Sequence, residues 1–186
     1  MRLESIGQDL EYPAHPMNIS RIVFLSLLLA SGAQVLWHQS ELPERLASHF
    51  DGAGNPNGFM PKTTFFELQL AVLGILTAVF ILLPALLTRL PNALINLPNK
   101  DYWLAPERRE ATLRDLASHL AWFGTATLAF LAVVMELVFR ANLPGGTGRL
   151  DPRAMWVLLG VYAVFLIGWL VRMLLRYRKR DYLRSP

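Results

Sequence analysis

ELPERLASHFDGAGNPNGFMPK, residues 41–62, separates two long apolar runs and decides how the chain is read. It carries too many charges and amides to enter hydrocarbon. Its Gly, Pro and Asn residues are turn formers rather than the makings of one regular element. The runs on either side, residues 19–37 and 63–87, are each long enough to cross a bilayer core, which takes about 20 apolar residues in a helix. Two further runs follow at 117–139 and 154–175. The sequence therefore predicts an all-α integral membrane protein, a four-helix bundle with polar connections. Trp37, Trp156 and Trp169 suit the bilayer interface. Ser26, Ser31, Gly32 and Ala33 would let a neighbouring helix approach closely. Pro84 is expected to kink the second span or release a carbonyl near its end.

Composition agrees. Of 186 residues 53% are hydrophobic and 17% charged, with mean hydropathy +0.33; a soluble domain carries about 25% charged residues. With no cysteine, disulfides, thiolate catalysis and Cys-based metal or haem sites are excluded. The net charge of +4 and pI of 9.8 would suggest nucleic acid in a soluble protein. Here the basic residues flank the spans, where they report orientation. With both ends of the chain inside, the inner segments hold 13 Lys and Arg and the outer ones 5. That bias predicts an N-in/C-in arrangement, with 41–62 extracytoplasmic and 88–115 in the cytoplasm. Residues 1–18 read as a cytoplasmic leader rather than a cleavable signal peptide, and 176–186 as a basic cytoplasmic tail.

The 41–62 loop has two readings. Asp51-Gly-Ala-Gly-Asn-Pro-Asn-Gly supplies positive-φ sites and Asx turns, which makes a structured turn. Alternatively His49, Asp51, Asn55 and Asn57, with Lys62 at the end, offer nitrogen and oxygen donors to a ligand. A calcium loop of EF-hand type would need more carboxylates and a terminal Glu, and no metal site or cofactor is expected.

The pattern Leu42-Pro43, His49-Phe50-Asp51, Gly54, Pro56-Asn57-Gly58 and Lys62 resembles the signature loop of a bacterial membrane-protein domain of unknown function, shared with the N-terminal part of SdpI-type immunity proteins. The resemblance covers roughly residues 19–90. It implies an integral inner-membrane protein with no established catalytic activity. This chain has Asn57 where the family commonly has an acidic residue, and it lacks the additional helices of the full-length immunity proteins. A second block, residues 96–109, resembles a segment of shorter members of the group.

In that block Pro106 opens a helix, with Glu107 and Glu110 in its first turn. Leu113, Leu116 and Leu120 continue it at helical spacing, so one rod is expected to run on into the third span. Tyr102 and Trp103 are expected in the headgroup region. Asn99, Lys100, Tyr102, Trp103, Arg108 and Arg109 form either a platform for a cytoplasmic partner or lipid headgroups, or a re-entry turn that fixes helix position.

Carboxylates at membrane depth are candidates for function. Glu67 and Glu136 both fall near the outer ends of their spans, at the level of Gln34 and His38. Gln34, Glu67, Glu136 and Arg140 are expected to gather as a polar pocket beneath the 41–62 loop. The plainer alternatives are an i,i+4 pair between Glu136 and Arg140, and Glu67 snorkelling to water. His119 lies near the inner boundary as an interface residue. No catalytic motif occurs: there is no H-E-x-x-H, nucleophile elbow or phosphate-cradling glycine loop. The expected function is binding, as an envelope sensor, immunity or accessory factor whose outer loop meets the ligand. The alternative is a small transporter or transport-complex subunit using Glu67 and Glu136. The expected partners are the lipid bilayer and a membrane or cytoplasmic protein, not nucleic acid.

Overall fold

A computed structural model describes residues 19–178. The leader and the last part of the basic tail lie outside the described residues. Four helices are long and apolar enough to cross a membrane. α1 (Ile19–Gln39) leads into a hairpin of β1 (Arg45–Phe50) and β2 (Pro56–Pro61). α2 (Lys62–Thr77) begins directly after β2 and passes through a π-helical turn (Ala78–Leu82) into α3 (Leu83–Leu87). A 3-10 turn (Asn92–Leu94) and the one-turn α4 (Lys100–Trp103) cross the end of the bundle. α5 (Pro106–Asn142) and α6 (Pro152–Tyr177) complete the fold.

The four membrane-length helices match the four apolar runs; the hairpin corrects the all-α expectation. Residues 45–61 pair antiparallel, with register shifts between Ala47 and His49 and between His49 and Phe50. Those irregularities interrupt the alternation by which a strand is recognised. α5 begins at Pro106 and runs 37 residues unbroken, the single rod expected from Pro at the first helical position. Pro84 has its effect upstream: without its N–H it cannot close the α-helical bond to the carbonyl of Phe80, and the backbone is π-helical just before it. α6 runs on through Arg176 and Tyr177, which the sequence assigned to the tail.

Three apolar clusters stack along the bundle. At the hairpin end, Leu42 and Leu46 bring the hairpin onto Val35, Phe65, Phe66 and Phe139. In the middle, Phe24, Leu73, Phe80 and Leu128 join α1, α2 and α5. Gly124 permits that approach, since a methyl group there would collide with the Phe80 ring. At the far end Leu87, Ile95, Leu97 and Leu104 fold the 88–105 segment onto Leu113, Leu116 and Tyr177.

α6 differs from the other three: its most apolar 18-residue window is 0% buried, against 22–28% for the others. Val157, Val161, Val164 and Ile167 all stand exposed along it. Such a surface is stable against lipid and not against water.

Candidate functional site

The hairpin is held to the helices by polar contacts to its backbone. The Asn142 side chain, at the last turn of α5, meets Ala47 twice: Oδ1 accepts from Ala47 N at 2.8 Å and Nδ2 donates to Ala47 O at 3.0 Å. One amide thus stands in for a third strand and covers the outer edge of β1. At the hairpin tip Leu150 N donates to Gly54 O at 3.0 Å, and Arg149 Nη2 donates to Ala53 O at 3.2 Å. Gly54 has φ +82° and lies so close to the Leu150 carbonyl that no side chain fits there.

The candidate donors of the loop divide sharply. Asp51 is committed to the turn: Oδ1 accepts from Ala53 N and Asn55 N at 2.9 and 2.8 Å, and Oδ2 accepts from Asn55 Nδ2 at 3.0 Å. The Asn55 side-chain amide, then its backbone N–H, hold the exposed Asp51 carboxyl below the usual carboxylate range. Lys62 is also committed: Nζ donates to Leu42 O at 3.0 Å and pairs with Glu44 at 2.9 Å. His49 Nδ1 lies 3.0 Å from Ser48 Oγ. Asn57 is exposed. Among the described residues no group of three or more His, Asp or Glu side chains converges as metal ligands.

Beneath the hairpin lies a groove of about 420 Å³. Its floor is Val134, Met135 and Val138 of α5 with Met155, Trp156 and Leu159 of α6, and its rim is Ser48, His49, Phe50 and Asp51. Apolar floor and polar rim suit a ligand with both characters.

A polar cluster occupies the seam of α1 and α5 at the same end. Glu136 Oε1 accepts from Arg140 Nε at 2.7 Å. Its Oε2 accepts from Gln34 Nε2 at 2.9 Å and lies 3.2 Å from His38 Nε2. Gln34 Nε2 also reaches Ala132 O at 3.2 Å. The i,i+4 ion pair read from the sequence is present, and two α1 side chains join it. His38 is 8% exposed, its ring packs 4.7 Å from that of Phe139, and its Nδ1 is buried without a hydrogen-bond partner among the described residues. Glu67 is not part of the cluster. It is exposed on α2, whose buried face is Phe65, Phe66, Gln69 and Leu73. At about 100° per residue, position 67 points away from that face.

Residues 24–75 match the family model described as Domain of unknown function (DUF1648). The match takes in α1 from Phe24, the whole hairpin and α2 to Ile75, a little over a quarter of the chain. No curated protein and no solved structure matches. The domain so matched carries Gln34, His38 and the hairpin. Glu136, Asn142 and Leu150, which complete their contacts, lie beyond it on α5 and the α5–α6 connection. The geometry thus joins the DUF1648 segment to the rest of the chain through side-chain amides and a carboxylate.

At the opposite end most of the candidate platform is spent on structure. Arg109 donates to Leu90 O at 2.7 Å, Asn92 Oδ1 at 3.0 Å and Thr88 O at 3.2 Å, and so closes the segment after α3. Asn99, at φ +53°, and Trp103 both donate to Tyr177 O at 3.0 Å. Trp103 therefore packs against the end of α6, its ring 5.5 Å from Tyr177. Arg108 pairs with Glu107 at 2.8 Å and lies 4.1 Å over the Tyr102 ring. Lys100 is exposed.

Sequence reasoning gave Asn142 no role, and named His38 only for its depth. His38 had a usable signal: it stands four residues after Gln34, on the same helix face. Asn142 had none, because its role depends on the strand edge brought to it.

Proposed function

We propose that this chain is a bacterial inner-membrane protein with its termini in the cytoplasm, and that it acts by binding an amphipathic envelope ligand at the hairpin end. The lysine and arginine bias supports the orientation, and the likeness of its loop to that of SdpI-type proteins supports an immunity or sensing role over transport or catalysis. One observation carries the reading: the groove whose apolar floor lies between α5 and α6 and whose rim is the His49–Asp51 edge of the hairpin. A membrane-active peptide has the two-sided chemistry this groove offers.

The absence of cysteine makes the test clean. Asn57→Cys reacts with an impermeant maleimide added outside intact spheroplasts, and labelling only after lysis sinks the orientation. Cells expressing the protein tolerate a membrane-active peptide better than cells without it, and Met135→Trp, which fills the groove, removes the difference. Equal tolerance with Met135→Trp and the unchanged protein, both present in the membrane in equal amount, ends the binding proposal.

A further inference from the structure

α5 and α6 touch along one side of a gap, through a polar contact at each end and the ring of Phe123 between them, 4.7 Å from that of Trp169 and 6.4 Å from that of Phe165. Thr127 Oγ1 and the Tyr162 hydroxyl lie 2.8 Å apart, with Phe130 stacked on Tyr162 at 4.4 Å. Farther along, Trp169 Nε1 donates to His119 O at 3.3 Å. These contacts fix the two helices, so the gap beside them does not close by a side-chain shift. The gap is a slot of about 600 Å³, walled by Trp122, Ala126, Ala129, Phe165 and Gly168, with Arg172 and His119 at its polar end. Its size lies within the range of pockets that hold small ligands, about 300–1,000 Å³.

The charge at that end is one-sided. Asp115, one turn from His119 on α5, is already taken: its carboxylate accepts from Arg176 Nε at 3.1 Å and from the Tyr177 hydroxyl at 2.9 Å. Arg172 is exposed and has no carboxylate within ion-pair distance among the described residues. His119 Nε2 is buried and has no hydrogen-bond partner among them. An apolar slot open to the bilayer, ending in a guanidinium, is complementary to an acyl chain ending in a phosphate.

We propose that this slot holds one anionic phospholipid of the leaflet at the Arg172 end, its chain against Ala126, Phe165 and Gly168 and its phosphate on Arg172. The site is separate from the hairpin groove and does not depend on the binding reading above. The lipid fills the space that α6 leaves open and seats that helix against α5.

Native mass spectrometry of the full chain in detergent, titrated with dioleoyl phosphatidylglycerol or dioleoyl phosphatidylcholine, tests this. One adduct is expected at about tenfold lower concentration of the glycerol lipid. Arg172→Gln lowers that preference to near parity, a change of ~1.4 kcal/mol, while Arg153→Gln at the other end of α6 leaves it intact. Gly168→Leu blocks the slot for both lipids. No atom outside its own helix lies within 4 Å of a methyl placed at Gly168, so the helix tolerates the change, and circular dichroism checks that it is folded. Equal binding of the two lipids to the unchanged protein overturns the proposal. So does an unaltered preference in Arg172→Gln or unaltered adducts in folded Gly168→Leu. A dimer that dissociates on Gly168→Leu, with lipid binding indifferent to Arg172, would put a second copy in the slot and likewise overturn it.

Discussion

Replacing Asn142 with Ala removes the side chain that, among the described residues, meets both backbone groups of Ala47. Ala47 is 5% exposed, so its N–H and C=O do not recover those bonds from bulk water without the hairpin moving. Leaving a buried backbone donor unsatisfied costs about 1–3 kcal/mol. The hairpin is small and depends on its contacts with the helices for stability, so the loss falls on hairpin opening rather than on the spans. At about 1.36 kcal/mol per decade, hairpin amides should exchange roughly 5- to 150-fold faster. Hydrogen exchange with mass spectrometry on detergent-solubilised protein reads this from peptides covering β1, with α1 as the internal control. Asn142→Asp keeps an acceptor for Ala47 N–H but sets an oxygen against Ala47 O, and should not restore protection. Exchange of β1 within twofold of the unchanged protein, in a variant whose helices remain protected, would refute the edge-covering role.

Asp51 has a depressed carboxyl pKa in the folded hairpin, so its contribution is present above the unfolded value of about 3.9 and is lost as pH falls through the folded value. The amide resonances of Ala53 and Asn55 should titrate together with a midpoint below about 3.9, and Asp51→Asn should abolish the titration; a midpoint above that value counts against the bonds described. Arg109→Ala should open the segment after α3 and expose it to protease at least several-fold faster. Arg109→Lys should not repair it, because one ammonium cannot serve three divergent acceptors; full repair by Lys would reduce Arg109 to a surface charge.

The helices were legible because an apolar run of about 20 residues has one stable form in lipid. The α5 rod was legible from Pro106 and the Leu113–Leu116–Leu120 face. The hairpin was not. β1 is buried at Leu46 and Ala47 in succession, its register slips on both sides of His49, and β2 begins and ends with proline. None of these leaves the period-two signal by which strands are recognised. Depth could be counted from the helix ends, and Gln34, Glu136 and Arg140 do lie together. Azimuth could not be counted on α2, where apolar residues stand on both the exposed side (Leu68, Leu70, Val72, Ile75) and the buried one (Phe65, Phe66, Leu73), and the sequence does not say which face meets protein. Glu67 therefore shared a level with the cluster but not a direction. The loop's polar residues suggested a ligand set, yet Asp51 and Asn55 hold the turn itself and Lys62 ties the hairpin base to Leu42 and Glu44. That distinction needs coordinates, since an Asx turn and a ligand site draw on the same residue types.

The π-helical turn at Ala78–Leu82 carries one residue more than an α-helical path would need. One extra residue advances everything downstream by about 100° around the helix axis. Leu87 reaches the cluster at the far end in this offset phase, and the chain leaves α3 toward the N-terminus of α5. A single deletion within 78–82 would restore plain α-helical winding. It would swing Leu87 toward lipid and launch the connecting segment in a different direction, though the span would lose only one apolar residue.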